Sequence, residues 1–192
     1  MLLYGIEDSE ERMMGDIVFS VISIGLLSLT LAQDASTPKE AAKSYPVGQL
    51  SIQEVVSHNP EYRERADGYT PNSDALEFLR SFSHPVTIEV FYGGWCGDSR
   101  AHVPSFIKVL EQTNNSNITT TFVAVDEHKF EPADLTQDRH IERVPTFIIY
   151  ADGHEIGRIV ETPEGTVEEH LVKLLKSAPQ GQHASATPSS GR

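Results

Sequence analysis

The chain has 192 residues, 39% of them hydrophobic and 22% charged, which suits one soluble domain with a packed core and leaves no room for two full ones. Its formal net charge of -13 argues against a nucleic-acid partner and against anionic lipid, because phosphate binding needs clustered Lys and Arg and no such cluster occurs. The single cysteine, Cys96, excludes an intramolecular disulfide and a thiolate-rich zinc site, so whatever it does involves an outside partner.

In chain order, residues 1–32 read as a leader. Its core, 17–32, is an uncharged and mostly apolar run with Thr30 and Ala32 at the small positions that precede a cleavage site. The flank before it is acidic (Glu7, Asp8, Glu10, Glu11, Asp16) where an export signal is normally basic, and initiation at Met13 or Met14 would remove most of that acidity without supplying Lys or Arg. The run is also shorter than the roughly 20 apolar residues of a spanning helix. The expectation is an exported or membrane-anchored protein, with membrane contact only through 17–32 if that segment is not cleaved, and a cytoplasmic one if the run is no signal. Residues 33–44 read as a linker and 177–192 as a disordered tail, each too poor in apolar residues to offset ordering entropy.

The working domain is therefore 45–176. Residues 45–70, with Glu61-Tyr62-Arg63-Glu64-Arg65, predict an extra helix lying outside the main core. Asn72-Ser73-Asp74 supply capping residues for a helix carrying Ala75, Leu76, Phe78, Leu79 and Phe82 on one face. Residues 86–92 (VTIEVFY) predict a buried strand that ends at Gly93-Gly94. Val103, Phe106, Ile107 and Leu110 fall at helical spacing, so 97–112 should be an amphipathic helix, kinked at Pro104 unless it starts later. A strand over 118–125 then completes a βαβ unit with parallel strands.

Pro132 opens a predicted short helix to about Ile141, and 146–150 and 155–160 flank Ala151-Asp152-Gly153-His154 as an antiparallel hairpin with Asp-Gly turn chemistry. Thr166 and Glu169 form a capping box for a last helix that should bury Val167, Leu171 and Leu174.

Cys96 sits where a strand hands over to a helix, so the unpaired N–H groups of the first turn and the helix dipole favour thiolate there. Ser99 lies one turn further on the same face, where its hydroxyl can donate to the sulfur. Arg100 would support the thiolate and Asp98 would oppose it. The competing reading is a packing cysteine, against which stand the flanking glycines and Trp95. The eight histidines, including His102 and His128 near the motif, show no ligand spacing, so neither a metal nor a cofactor is expected.

Phe91-Tyr92-Gly93-Gly94-Trp95-Cys96-Gly97-Asp98-Ser99, Pro104 eight positions after the cysteine, and Val144-Pro145-Thr146 before the hairpin resemble the thioredoxin superfamily over about residues 72–176. The resemblance implies an α/β fold, a thioredoxin-like three-layer α/β/α sandwich with a mixed central sheet. It implies catalysis at Cys96 and Ser99, and substrate contact at Trp95, Gly97, Asp98, Val144, Pro145 and Thr146, with Pro145 cis and facing the thiol.

The departures shape the expected activity. Ser99 stands where a dithiol enzyme has its resolving cysteine, and Val90 where the family has a buried acid, with Glu89 on the other face of the strand. The Trp-Cys-x-Asp-Ser motif is similar to that of some bacterial thioredoxin-like proteins. The reading is a monothiol exchanger acting on protein or peptide disulfides, with glutathione or another external thiol releasing the product. A redox-inactive peptide-binding module is the alternative. A peroxide sensor ranks below both, for want of a Thr or Ser three residues before Cys96.

Overall fold

The computed structural model describes residues 45–178. The predicted leader at 1–32, the linker at 33–44 and nearly all of the tail lie outside the described residues.

The chain opens with strand β1 (Gly48–Leu50), then helices α1 (Ile52–His58), α2 (Pro60–Gly68) and α3 (Ser73–Ser81). Strand β2 (Val86–Tyr92), helix α4 (Gly97–Thr113) and strand β3 (Ile118–Ala124) follow. Helix α5 (Ala133–Thr136), strands β4 (Thr146–Ala151) and β5 (His154–Val160), and helix α6 (Val167–Ser177) complete the described part. The sheet order is β1-β3-β2-β4-β5; β2 and β3 are parallel and the other neighbours antiparallel. This is the mixed sheet with helical cover that the sequence predicts.

Period-two alternation in β2 explains the layering. Val86, Ile88, Val90 and Tyr92 pack into the main core with Leu76 and Leu79 of α3, Val103, Phe106 and Ile107 of α4, and Val167, Leu171 and Leu175 of α6. On the opposite face, Phe91, Val123, Val125, Val144 and Ile148 form a smaller cluster covered by Trp95, Leu135 and Ile141. That second helical layer is thin, because α5 has only four residues. Glu89 lies on this thinner face, gripped by Arg139 through two hydrogen bonds of 2.7 and 3.1 Å and accepting the Tyr150 hydroxyl at 3.2 Å.

Three segments differ from the sequence reading. Residues 45–70 do not form one helix outside the core: β1 extends the sheet along β3, and Val55, Tyr62 and Ala66 are fully buried in the molecule. The apolar stripe of α2 is only Tyr62 and Ala66, one turn apart in an otherwise charged helix, and so gives little periodic signal. The helix after Pro132 stops at Thr136, since Asp138 and His140 adopt positive φ of 65° and 53°.

The last helix does carry the Thr166–Glu169 capping box, but it buries Glu168, Val172 and Leu175 along with Val167 and Leu171. Leu174, expected in the core, is partly buried and packs over Gly157, where an added Cβ would meet its Cδ2 at 2.7 Å. Helix α4, by contrast, starts at Gly97 as the sequence predicts and contains Pro104 in its interior, so Pro104 does not mark a later start.

Asp152 and Gly153 have φ of 50° and 79°, the left-handed pair that a tight type I′ hairpin turn requires.

Candidate active site

Tyr92 ends β2, and a tight turn over Gly93–Cys96, closed by the Cys96 N–H to the Gly93 carbonyl at 2.9 Å, delivers the cysteine to the start of α4. Cys96 is the N-cap residue of α4, has extended φ and ψ of -83° and 131°, and makes no side-chain cap bond. The N–H groups of the first helical turn are therefore not taken up by the capping side chain, and the dipole of α4 points at the sulfur's surroundings.

Cys96 is partly exposed and its thiol donates to the carbonyl oxygen of Val144 at 3.1 Å. The Val144–Pro145 peptide is cis. Val144, Pro145 and Thr146 are all buried. The Pro145 carbonyl accepts the Glu161 N–H at 2.7 Å, and the Thr146 hydroxyl donates to the Arg143 carbonyl at 2.7 Å. Thr146 is moreover paired on both sides, with Phe91 of β2 and Val160 of β5. Its polar groups are thus committed inside the protein, and the edge facing Cys96 is the backbone just before Pro145.

Ser99 is fully buried, and its hydroxyl oxygen accepts the Gly93 N–H at 3.2 Å. The expected donation from Ser99 to the Cys96 sulfur is not among the hydrogen bonds of the described residues; Ser99 ties the helix back to the turn that presents the cysteine. Gly97 and Asp98 are exposed beside the thiol.

Trp95 leans over Gly93, where a Cβ would lie 2.5 Å from the indole Cε2, and its Nε1 donates to the Val125 carbonyl at 3.2 Å. The Lys129 ammonium sits 5.7 Å from the indole centroid, within cation–π range. Lys129 belongs to a loop organised by Asp126, whose carboxylate accepts the N–H groups of His128, Phe130 and Glu131 at 3.0, 2.8 and 2.9 Å. Those bonds, Glu131's first, hold the Asp126 carboxyl below its usual range. Phe130 on the same loop is 74% exposed.

His102, one further turn along α4, has its pKa lowered by burial, partly countered by Asp98. Among the described residues, no three His, Cys, Asp or Glu side chains come together in a way that could hold a metal ion. No helix of the described residues is long and apolar enough to cross a membrane.

Of the residues named from the sequence, the fold brings Cys96, Trp95 and Val144 together from two strand ends, and it turns Ser99 to Gly93. Sequence reasoning missed Lys129 and Asp126, which adjoin Trp95 only through the tertiary fold, and it missed Tyr45, whose ring lies against Gly94.

A family model described as thioredoxin matches residues 50–176, about two thirds of the chain. The chain belongs to the thioredoxin family. Thioredoxin of Coprinus comatus is 31% identical over 104 residues, 54% of this chain and 93% of its own length. Mitochondrial thioredoxin-2 of Schizosaccharomyces pombe is 33% identical over 88 residues, which span 46% of this chain and only 62% of that protein. Among solved structures, thioredoxin f2 of Chlamydomonas reinhardtii aligns with a TM-score of 0.36 and 20% identity, over 53% of this chain and 85% of that one. Residues 50–70, which the family model includes, carry α1 and α2 and their buried Val55, Tyr62 and Ala66.

Proposed function

We propose that this thioredoxin-family protein is a monothiol thiol–disulfide exchanger. The observation that carries the reading is the placing of the chain's single cysteine. Cys96 is partly exposed at the N-terminus of α4, 3.1 Å from the carbonyl that precedes cis-Pro145, with a buried serine one turn on.

The Cys96 sulfur attacks one sulfur of a substrate disulfide, forming a mixed disulfide and releasing the other substrate sulfur as a thiol. The substrate lies extended along the Arg143–Val144 backbone, with Trp95 and the exposed Gly97–Asp98 corner on either side of the sulfur. Ser99 has no redox chemistry to offer, so an external thiol, such as glutathione, attacks the mixed disulfide and frees Cys96. Protein or peptide disulfides fit this open setting as substrates, in keeping with the thioredoxin relatives. The apolar run at 17–32 supports placing the chemistry outside the cytoplasm, or at a membrane.

The reading is tested by mixing the protein with a disulfide-linked peptide and measuring intact mass. It predicts a covalent adduct of one peptide half on Cys96, its loss on adding glutathione, and no adduct with Cys96→Ala. Peptide binding without any adduct would instead make the groove a redox-inactive docking site.

A further inference from the structure

Phe130 is the most exposed large hydrophobic side chain among the described residues, with 74% of its surface open to solvent. Isolated exposed apolar residues are ordinary in soluble proteins, so exposure by itself carries nothing. At Phe130, however, both polar groups of the backbone are tied down. Its N–H donates to the Asp126 carboxylate at 2.8 Å, and its carbonyl accepts the Thr136 hydroxyl at 2.9 Å. The same carboxylate accepts the N–H groups of His128 and Glu131, and the Lys129 N–H donates to the Asp126 carbonyl at 3.0 Å. The ring stacks with that of His128, the centroids 6.4 Å apart and the planes 24° from parallel. The loop thus holds Phe130 out in solvent through a fixed backbone.

Phe130 also forms part of the wall of a cleft of about 470 Å³, a volume within the range of protein ligand pockets. Helix α5 ends after four residues, and Asp138 and His140 then turn the chain with positive φ of 65° and 53°. Ala133 and Ile141 therefore line the cleft with Phe130, where a longer helix would cover them.

The cleft adjoins the Cys96 site on two sides. Lys129, which lines it, places its ammonium 5.7 Å from the Trp95 indole centroid. Ile141 packs in the same apolar cluster as Trp95, Cys96 and Val144, and only Glu142 and Arg143 separate it from Val144, whose carbonyl accepts the thiol. A chain laid along Arg143–Val144 advances about 3.3 Å per residue, so a side chain two or three residues from its reacting cysteine reaches the level of Ile141. Phe130, Ala133 and Ile141 suit a hydrocarbon or aromatic group there, while Asp138 and Glu142, which also line the cleft, disfavour a carboxylate.

We propose that this cleft sets the substrate class for exchange at Cys96: it takes a bulky apolar side chain two or three residues from the reacting cysteine of a polypeptide disulfide, with Phe130 as the specificity-determining residue. This rests on the exchange reading and names its substrate. The covalent step is unchanged, since the Cys96 thiol and the peptide disulfide give the mixed disulfide and the free thiol of the departing half. Glutathione disulfide has no bulky apolar side chain and leaves the cleft empty, so it is the poorer substrate. Folded proteins bury most residues of the kind the cleft takes, so the favoured substrates are unfolded or loosely folded chains.

The test compares second-order rates of mixed-disulfide formation by the full chain with short peptides, each holding one cysteine as its disulfide with 2-mercaptoethanol. One peptide carries serine at every other position. The rest carry a single phenylalanine or a single glutamate two or three residues from the cysteine, on either side. Intact mass reads the peptide adduct on Cys96. The proposal predicts that the best phenylalanine peptide reacts about tenfold or more faster than the serine peptide, and that glutamate at that position gives no gain. In Phe130→Ala the phenylalanine advantage falls to about threefold or less, and in Phe130→Leu most of it remains. Both variants keep the parent rate with 2-hydroxyethyl disulfide, which has nothing to place in the cleft, and truncating so exposed a ring opens no cavity in the core. Equal rates for phenylalanine and serine peptides at every position, an advantage that Phe130→Ala retains in full, or an equal slowing of Phe130→Ala with all probes would overturn the proposal while leaving exchange at Cys96 intact. A parent protein that reacts with iodoacetamide but forms no mixed disulfide with any of these probes would overturn the exchange reading, and the cleft's role with it.

Discussion

At Gly93 the absence of a side chain is what lets Trp95 fold back over the turn, because a Cβ there would sit 2.5, 2.8 and 2.8 Å from three atoms of the indole. Gly93→Ala should therefore displace the ring, break its 3.2 Å bond to Val125 and destabilise the protein by about 1–3 kcal/mol, the usual cost of overpacking. Trp95 is the only tryptophan of the chain, so its emission reads this directly. Asp126 sets a second, pH-dependent constraint on the same indole. Its folded carboxyl is harder to protonate than an unfolded one near 3.9, so the order it gives the Lys129 loop is complete above about pH 4 and is lost as pH falls through the folded value. Trp95 emission should shift in that acid window, and the shift should disappear in Asp126→Ala. Cys96 was legible in the sequence because it stands at a strand-to-helix junction between glycines and a tryptophan, and the Val144–Pro145 pair through its resemblance to the family motif. The true partner of the Ser99 hydroxyl was not, because one turn of helix brings several groups within its reach and only the packed turn selects Gly93.

Elements with strong periodicity match their sequence expectations: β2, α4, β3, the Asp152–Gly153 hairpin and the capped start of α6. The misreadings cluster where period is weak or tertiary partners decide. A three-residue strand such as β1 has no period to detect, and α2 hides its two buried residues among charges. Glu168 shows the same limit on α6. Its carboxylate is fully buried and accepts the Tyr69 hydroxyl at 3.1 and 2.9 Å and the Asn72 N–H at 2.8 Å, clamping α6 to the link between α2 and α3. No local pattern marks a glutamate in the first turn of a helix as buried. Glu168→Ala should leave the Tyr69 hydroxyl and Asn72 N–H unpaired and cost about 1–3 kcal/mol for each group that water does not reach, with Glu168→Gln milder. Urea unfolding of the three proteins would show this order, and equal midpoints would contradict the clamp.

Across the described residues, the helical cover of the sheet is heavily one-sided. Helices α3, α4 and α6, reinforced by α1 and α2, pack one face of the sheet, while α5 and its flanking loops cover the other. The segment before α3 closes the back of the Cys96 turn through Tyr45 and Asn59, so it supports the site as well as the core. The site itself is an open edge, a single sulfur between the Val144 carbonyl and Trp95, and this suits an extended disulfide-bearing chain approaching from outside.

The central claim, that the fold turns Cys96 into an exchange nucleophile, is tested most directly by its rate of mixed-disulfide formation with a small peptide disulfide at neutral pH. The rate is compared between the native protein and the same chain unfolded in urea. The account predicts faster reaction in the native protein, followed by full release with glutathione. A native rate equal to or below that of the unfolded chain would contradict it, and would leave Cys96 as a packed residue beside a peptide-binding groove.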